Sequence, residues 1–228
     1  MAEKNYTIPI NEEFDKYDGC PLCRLHERFE KNSLEYIMGA AMMEPDVRQM
    51  TNLTGFCRDH YDKMLAMGNR LSLTLMLQSY LDELDNKLQA PGASAKKGYA
   101  NALAYVTRAN DGCFVCERSA QTLTSLARNV AYLWHTDTSF RDKFAKQEFF
   151  CLRHATLMMR VAEQELGPKN APAFAAAVGE VARKGLAPVQ DKVNRFCRSF
   201  DYRYAEEPLG DAAQAAEEAI KWILGEKI

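Results

Sequence analysis

The feature that most constrains this chain is a pair of cysteine–histidine motifs that occurs twice. Gly19-Cys20-Pro21-Leu22-Cys23 is followed, with 33 residues between Cys23 and Cys57, by Cys57-Arg58-Asp59-His60. Gly112-Cys113-Phe114-Val115-Cys116 is followed, with 34 residues between Cys116 and Cys151, by Cys151-Leu152-Arg153-His154. A shift of 93 residues also superposes Arg48 on Arg141. After a one-residue insertion, Phe56, Cys57, His60 and Met64 fall on Phe150, Cys151, His154 and Met158. Few other positions match, so the repeat reads as strongly diverged.

Cys-x-x-Cys spacing lets two thiolates converge on one ion, and Cys-x-x-His sets its ligands at i and i+3 on one helix face. Three thiolates and one imidazole make a closed tetrahedral zinc shell. The expected arrangement is one site per repeat. Cys20, Cys23, Cys57 and His60 form the first, and Cys113, Cys116, Cys151 and His154 the second. Each is expected on a hairpin that runs out along one helix and back along a shorter one. Pro21 suits the first turn of a helix, which places Cys20 and Cys23 at an N-terminus whose dipole favours thiolates. The plainer reading, buried cysteines serving as small hydrophobes, does not explain the repeated histidine offset.

Zinc, two ions per chain, is the expected metal; iron–sulfur clusters are the alternative, since histidine can replace cysteine as a cluster ligand. Arg24, Arg58, Arg118 and Arg153 lie within two residues of ligands and are candidates to offset the negative charge of each shell. A shell of four protein ligands leaves no open position for a substrate, so the sites read as structural.

The remainder reads as helix. Leu77, Leu81, Leu84 and Leu88 form an amphipathic stripe, as do Ala215, Ala219, Ile220 and Ile223. Pro91-Gly92-Ala93-Ser94 ends the first of these helices, and Lys96-Lys97-Gly98 completes a linker. Gly167-Pro168 and Ala187-Pro188 mark further breaks. No stretch alternates with period two, so no sheet is expected. The predicted fold is all-α: two diverged metal-stapled hairpin repeats, residues 1–92 and 98–228, the second carrying the C-terminal helices, packed as one compact unit.

The formal net charge of −2 argues against general nucleic-acid binding, which needs a basic face. The N-terminus has no signal-peptide h-region, and no apolar run is long enough to span a bilayer. A cytoplasmic location is therefore expected, where thiols stay reduced and seven cysteines point to metal rather than disulfides.

The strings Gly19 to Cys23 and Asn52-Leu53-Thr54-Gly55-Phe56-Cys57-Arg58-Asp59-His60, with Phe200-Asp201-Tyr202-Arg203-Tyr204, resemble an uncharacterised family of bacterial proteins with paired Cys-x-x-Cys and Cys-x-x-His motifs. The resemblance spans nearly the whole chain. It implies a bacterial origin and no particular activity.

Other candidates carry less. Asp201, Tyr202 and Arg203 are candidate binding residues for a polar pocket, against a structural hydrogen-bond cluster. Arg48 and Arg141 bind an anion, brace the metal lobes or make surface salt bridges. His26 is an alternate ligand, a group behind the ligands or a surface histidine. Cys197 and the pairs Met42-Met43 and Met158-Met159 read as core. The leading functional reading is a non-enzymatic metal-binding scaffold with a protein or small-molecule partner. An iron–sulfur redox protein and an enzyme with a pocket near Arg203 are the rivals.

Overall fold

The computed structural model describes residues 6–88, 96–204 and 207–226. These form ten α-helices: α1 (Thr7–Phe14), α2 (Pro21–Met38), α3 (Pro45–Thr54), α4 (Arg58–Ala66), α5 (Arg70–Leu88), α6 (Lys96–Asp111), α7 (Phe114–Thr136), α8 (Thr138–Ala145), α9 (Leu152–Arg198) and α10 (Ala215–Leu224). Three 3-10 turns, Ala40–Met43, Tyr202–Tyr204 and Gly210–Gln214, complete them, and no strand occurs among the described residues. The all-α fold is as the sequence indicates.

Local signals set many of the boundaries. Pro21 and Pro45 open α2 and α3, where the missing N–H has no partner to lose. Asp137 caps α8 by accepting from Ser139 N and Phe140 N. Gly55, at φ +58°, ends α3 and turns its carbonyl to Phe114 N at 2.9 Å. Within α9 only Gly167 leaves helical geometry, so Gly167-Pro168 is a true interruption. Ala187-Pro188 is not: the helix runs through Pro188, which forgoes one backbone bond and keeps its φ in the helical range. The expected linker at Lys96-Lys97-Gly98 is instead the first turn of α6. Pro91-Gly92-Ala93-Ser94 lies outside the described residues.

The chain forms two compact units, one of Met1–Glu27 with Thr122–Ile228 and one of Arg28–Gln121. This division differs from contiguous lobes of 1–92 and 98–228. Helices α5 and α6, on either side of that expected boundary, both belong to the second unit, and the true divisions fall inside α2 and α7.

The first unit is centred on aromatic rings. Phe14 meets Phe140 at 4.9 Å, Phe144 meets Phe150 at 4.8 Å, and Trp134 meets Phe174 at 5.3 Å. The five phenylalanines are fully buried, each contributing on the order of 2 kcal/mol. The second unit is aliphatic: Leu34, Ile37, Met38, Val47, Met64, Leu73 and Met76 pack together with Phe114 and Val115.

The two leucine-type stripes are only partly buried. In α5 the buried residues are Ser72, Leu73 and Met76, while Leu81 and Leu88 face solvent. In α10 Ala215 is buried and Ile220 and Ile223 are exposed. Both helices meet a neighbour over a narrower face than their apolar spacing allows. Met158 is buried as expected and Met42 is half-buried, whereas Met43 and Met159 are exposed.

Candidate metal centres

Four helix N-termini carry the eight ligands. Cys20 precedes α2 and Cys23 lies in its first turn, with Cys23 N and Arg24 N both bonding to Cys20 O. Cys113 and Cys116 repeat this at the start of α7. Cys57 is the N-cap of α4 and His60 lies one turn on; Cys151 and His154 do the same in α9. Thiolates placed here are favoured by the helix dipole.

The motifs combine across the repeats. Cys20, Cys23, Cys151 and His154 form one group, and Cys57, His60, Cys113 and Cys116 the other. This corrects the expectation of one site per repeat, though all eight residues take part. The physical reason is helix length. Helix α2 has 18 residues and α3 has 10, so the path runs out about 27 Å and back only about 15 Å. The return cannot bring Cys57 and His60 back to Cys20. Helices α7 and α8, with 23 and 8 residues, are still less matched. Each Cys-x-x-His pair therefore meets the Cys-x-x-Cys pair of the other repeat.

In the first group His154 Nδ1 lies 3.6, 3.4 and 3.2 Å from the sulfurs of Cys20, Cys23 and Cys151. The sulfurs of Cys23 and Cys151 are 3.8 Å apart. In the second, His60 Nδ1 lies 3.1, 3.2 and 3.5 Å from the sulfurs of Cys57, Cys113 and Cys116, and the sulfurs of Cys57 and Cys116 are 3.8 Å apart. A tetrahedron with metal–sulfur bonds of about 2.3 Å and metal–nitrogen bonds of about 2.0 Å has edges of about 3.8 and 3.5 Å. The ligand atoms of each group lie within 4.8 Å of one another, so both groups can hold a metal ion. The cysteines are all free thiols.

The two surroundings differ. All four ligands of the first group are buried. Gly225, which caps α10 at φ +88°, lies so close that a Cβ there would come 2.9 Å from Cys23 Sγ and 3.4 Å from Cys151 Sγ. The backbone of Glu226 also bonds to Cys23. Burial pushes the Cys20 thiol up to about 12. Burial, with the charge of Arg153 among lesser causes, holds His154 down to about 3. His154 Nε2 is buried with no hydrogen-bond partner, and the His26 ring stands edge-on to it at 6.3 Å. His26 belongs to neither ligand group.

In the second group Cys116 is exposed and Cys57 half-buried. His60 Nε2 meets Glu30 Oε1 at 2.9 Å, and Glu30 Oε2 accepts from Lys63 Nζ. Burial of Glu30 disfavours its charge, but His60 and Lys63 outweigh it and bring the carboxyl to about 2. Burial likewise opposes charge on His60, and the Cys113 and Glu30 contacts reverse this, raising it to about 10. Carboxylate, imidazole and thiolates thus stand in line, the arrangement that fixes the ring of a metal-binding histidine. Glu30 and Lys63 were not singled out in the sequence. Glu30 sits two turns beyond Cys23 on α2 yet serves the other centre, and no spacing marks it.

The arginines beside the ligands mostly serve other partners. Arg24 bonds to Glu13 and to the Asp18 carbonyl, Arg58 pairs with Asp62, and Arg118 lies over the Tyr36 ring. Arg48 and Arg141 reach back to the carbonyls of Met42 and Trp134, so each braces the connection before its helix. Asp201, Tyr202 and Arg203 lie on the turn after α9. Arg203 pairs with Asp201, Tyr202 is 86% exposed, and none of the three lines the cavity beside α10. That cavity, about 570 Å³, has Phe149, Pro188, Val189 and Trp222 with Lys184 and Glu217 among its walls. Cys197, expected in the core, is exposed on the last turn of α9.

Fold and centres together define an all-helical protein with two Cys₃His clusters able to hold metal. No helix is long and apolar enough to cross a membrane among the described residues. The chain belongs to the family of unknown function DUF6062, which it matches over residues 1–228. No curated protein and no solved structure matches it.

Proposed function

We propose that each centre holds one zinc ion as a structural staple, in a bacterial, cytoplasmic scaffold that binds a partner rather than catalysing a reaction. The observation that carries the reading is the convergence of four ligand atoms per centre to the edges of one tetrahedron. Thiolate and imidazole donors in this ratio suit zinc. In a four-iron cluster each ligand holds a different iron and in a two-iron cluster two ligands sit on each iron, so ligand atoms on opposite sides of either cluster stand further apart than the 4.8 Å that encloses all four here. Four protein ligands fill the shell and leave no position for a reacting group. The cavity beside α10, at about 570 Å³, falls in the size range of small-molecule sites and is the candidate ligand position.

Each ion contributes on the order of 10 kcal/mol to the unit that it staples. Elemental analysis of protein purified without oxygen is expected to give two equivalents of zinc and no iron. Removing that zinc with a strong chelator is expected to abolish much of the helical circular dichroism. Brown protein containing iron and sulfide, or an unchanged helical spectrum after verified metal loss, is the result that overturns the proposal.

A further inference from the structure

The two centres share one ligand set but not one environment. In the first, Cys20, Cys23, Cys151 and His154 are all buried, and Gly225 with the Glu226 backbone closes over the sulfurs of Cys23 and Cys151. An entering molecule reaches these ligands only after the end of α10 has lifted away, a local opening with its own free-energy cost. In the second, the Cys116 sulfur stands in an exposed residue on the first turn of α7, and Cys57, 3.8 Å from it, is half-buried. The same stretch of α7 lines a groove of about 240 Å³ through Phe114, Glu117 and Arg118. The histidine there is anchored from behind by Glu30, so His60 and the buried Cys113 stay in place when a sulfur on the open side moves.

We infer that the second centre is an exchangeable metal site, able to give up or take on zinc by ligand exchange with a thiol-bearing acceptor at Cys116, while the first is a permanent staple. This rests on reading both clusters as metal centres. In the exchange the acceptor sulfur forms a bond to zinc and the Cys116 sulfur releases its own. The proton leaving the acceptor thiol passes through water to Cys116. Nothing is oxidised or reduced, and charge balances at each stage. Repeating the step at Cys57 and Cys113, with a fourth acceptor ligand or water replacing the His60 imidazole, completes the transfer.

The test uses the full chain loaded with two zinc ions, the chromophoric chelator 4-(2-pyridylazo)resorcinol, and free cysteine as the acceptor thiol. One equivalent is expected to leave on the order of tenfold or more faster than the other, and to leave faster still as cysteine is raised. Quenching with N-ethylmaleimide after the fast phase is expected to label Cys57, Cys113 and Cys116 and to spare Cys20, Cys23 and Cys151. The variant Cys116→Ser is expected to lose the fast equivalent and keep the slow one. Two equivalents leaving at one rate, or early labelling of Cys20, Cys23 and Cys151, overturns the inference and leaves the two-centre reading standing. A chain that takes up no metal overturns that reading and the inference with it. The labelling pattern is read on the unsubstituted protein, so the result does not depend on a variant folding.

Discussion

The His60 ring is held from both sides: Nδ1 faces three sulfurs and Nε2 meets Glu30, itself tied to Lys63. His154 has the sulfurs on one side and no hydrogen-bond partner at Nε2. Replacing Glu30→Gln removes the charge behind His60 and is expected to weaken metal binding at the second centre about 10- to 100-fold, leaving the first unchanged. A competitive chelator titration, read as two separate affinities, checks this; an equal loss at both centres counts against it. Proton linkage gives a second expectation. At Cys20 burial is the main cause of a pKa near 12. At Cys23 a favourable contact from Cys151 is outweighed by Cys20 and burial, giving about 12. At Cys151 a favourable contact from Cys20 is outweighed by Cys23 and burial, giving about 11. All three are therefore protonated thiols at neutral pH before metal enters, and His154, held to about 3, is neutral. The metal-bound form lacks protons that the metal-free form carries, so metal stabilisation is present at neutral pH and lost as the pH falls. Loading the first centre is expected to release about three protons per ion. Indicator-dye titration of the variant Cys116→Ser measures that number at the first centre alone.

Among the helices, α5 shows how far apolar spacing can be read. Its leucine stripe identifies a helix, but it does not say which part of the stripe meets a neighbour. Leu73 is buried in the second unit, whereas Leu81 is 59% exposed. Leu73→Ala is expected to cost about 2–5 kcal/mol in denaturant unfolding, and Leu81→Ser to stay within about 0.5 kcal/mol. A large loss from the second would show that the stripe is covered after all. The helix start at Cys20 was legible from Pro21 at N1, and ligands three residues apart indicated a helix at Cys57 and Cys151 without marking where it begins; nothing marked the start at Cys113. The passage through Pro188 was not, because proline is a breaker by propensity while α9 is held by residues remote in sequence. The same limit hid Gly225. A glycine near a C-terminus has no evident role until α10 brings it against Cys23 and Cys151.

For the whole chain, the eight residues that cluster were legible in the sequence and their pairing was not. Spacing alone favours partners that are close in sequence; the mismatch between α2 and α3 decides otherwise. Because residues 28–121 contain Cys57, His60, Cys113 and Cys116, a fragment of that span is expected to bind one zinc ion. Residues 1–92 hold three cysteines and two histidines, enough for one shell, yet are expected to bind none with comparable affinity. Native mass spectrometry at limiting zinc compares the two fragments, and tight binding by residues 1–92 would contradict the crossed pairing. That pairing also bears on synthesis. Cys20, Cys23, Cys57 and His60 leave the ribosome before Cys113 has been made, since chains emerge N-terminus first. Joining Cys23 to Cys57 closes a 33-residue loop, whereas the native link from Cys23 to Cys151 closes one of 127; the shorter is cheaper by about 1 kcal/mol. An ion captured early meets the wrong four ligands at the lower entropic cost. The nascent chain is thus safest while metal is scarce, and correct loading belongs after translation has passed His154.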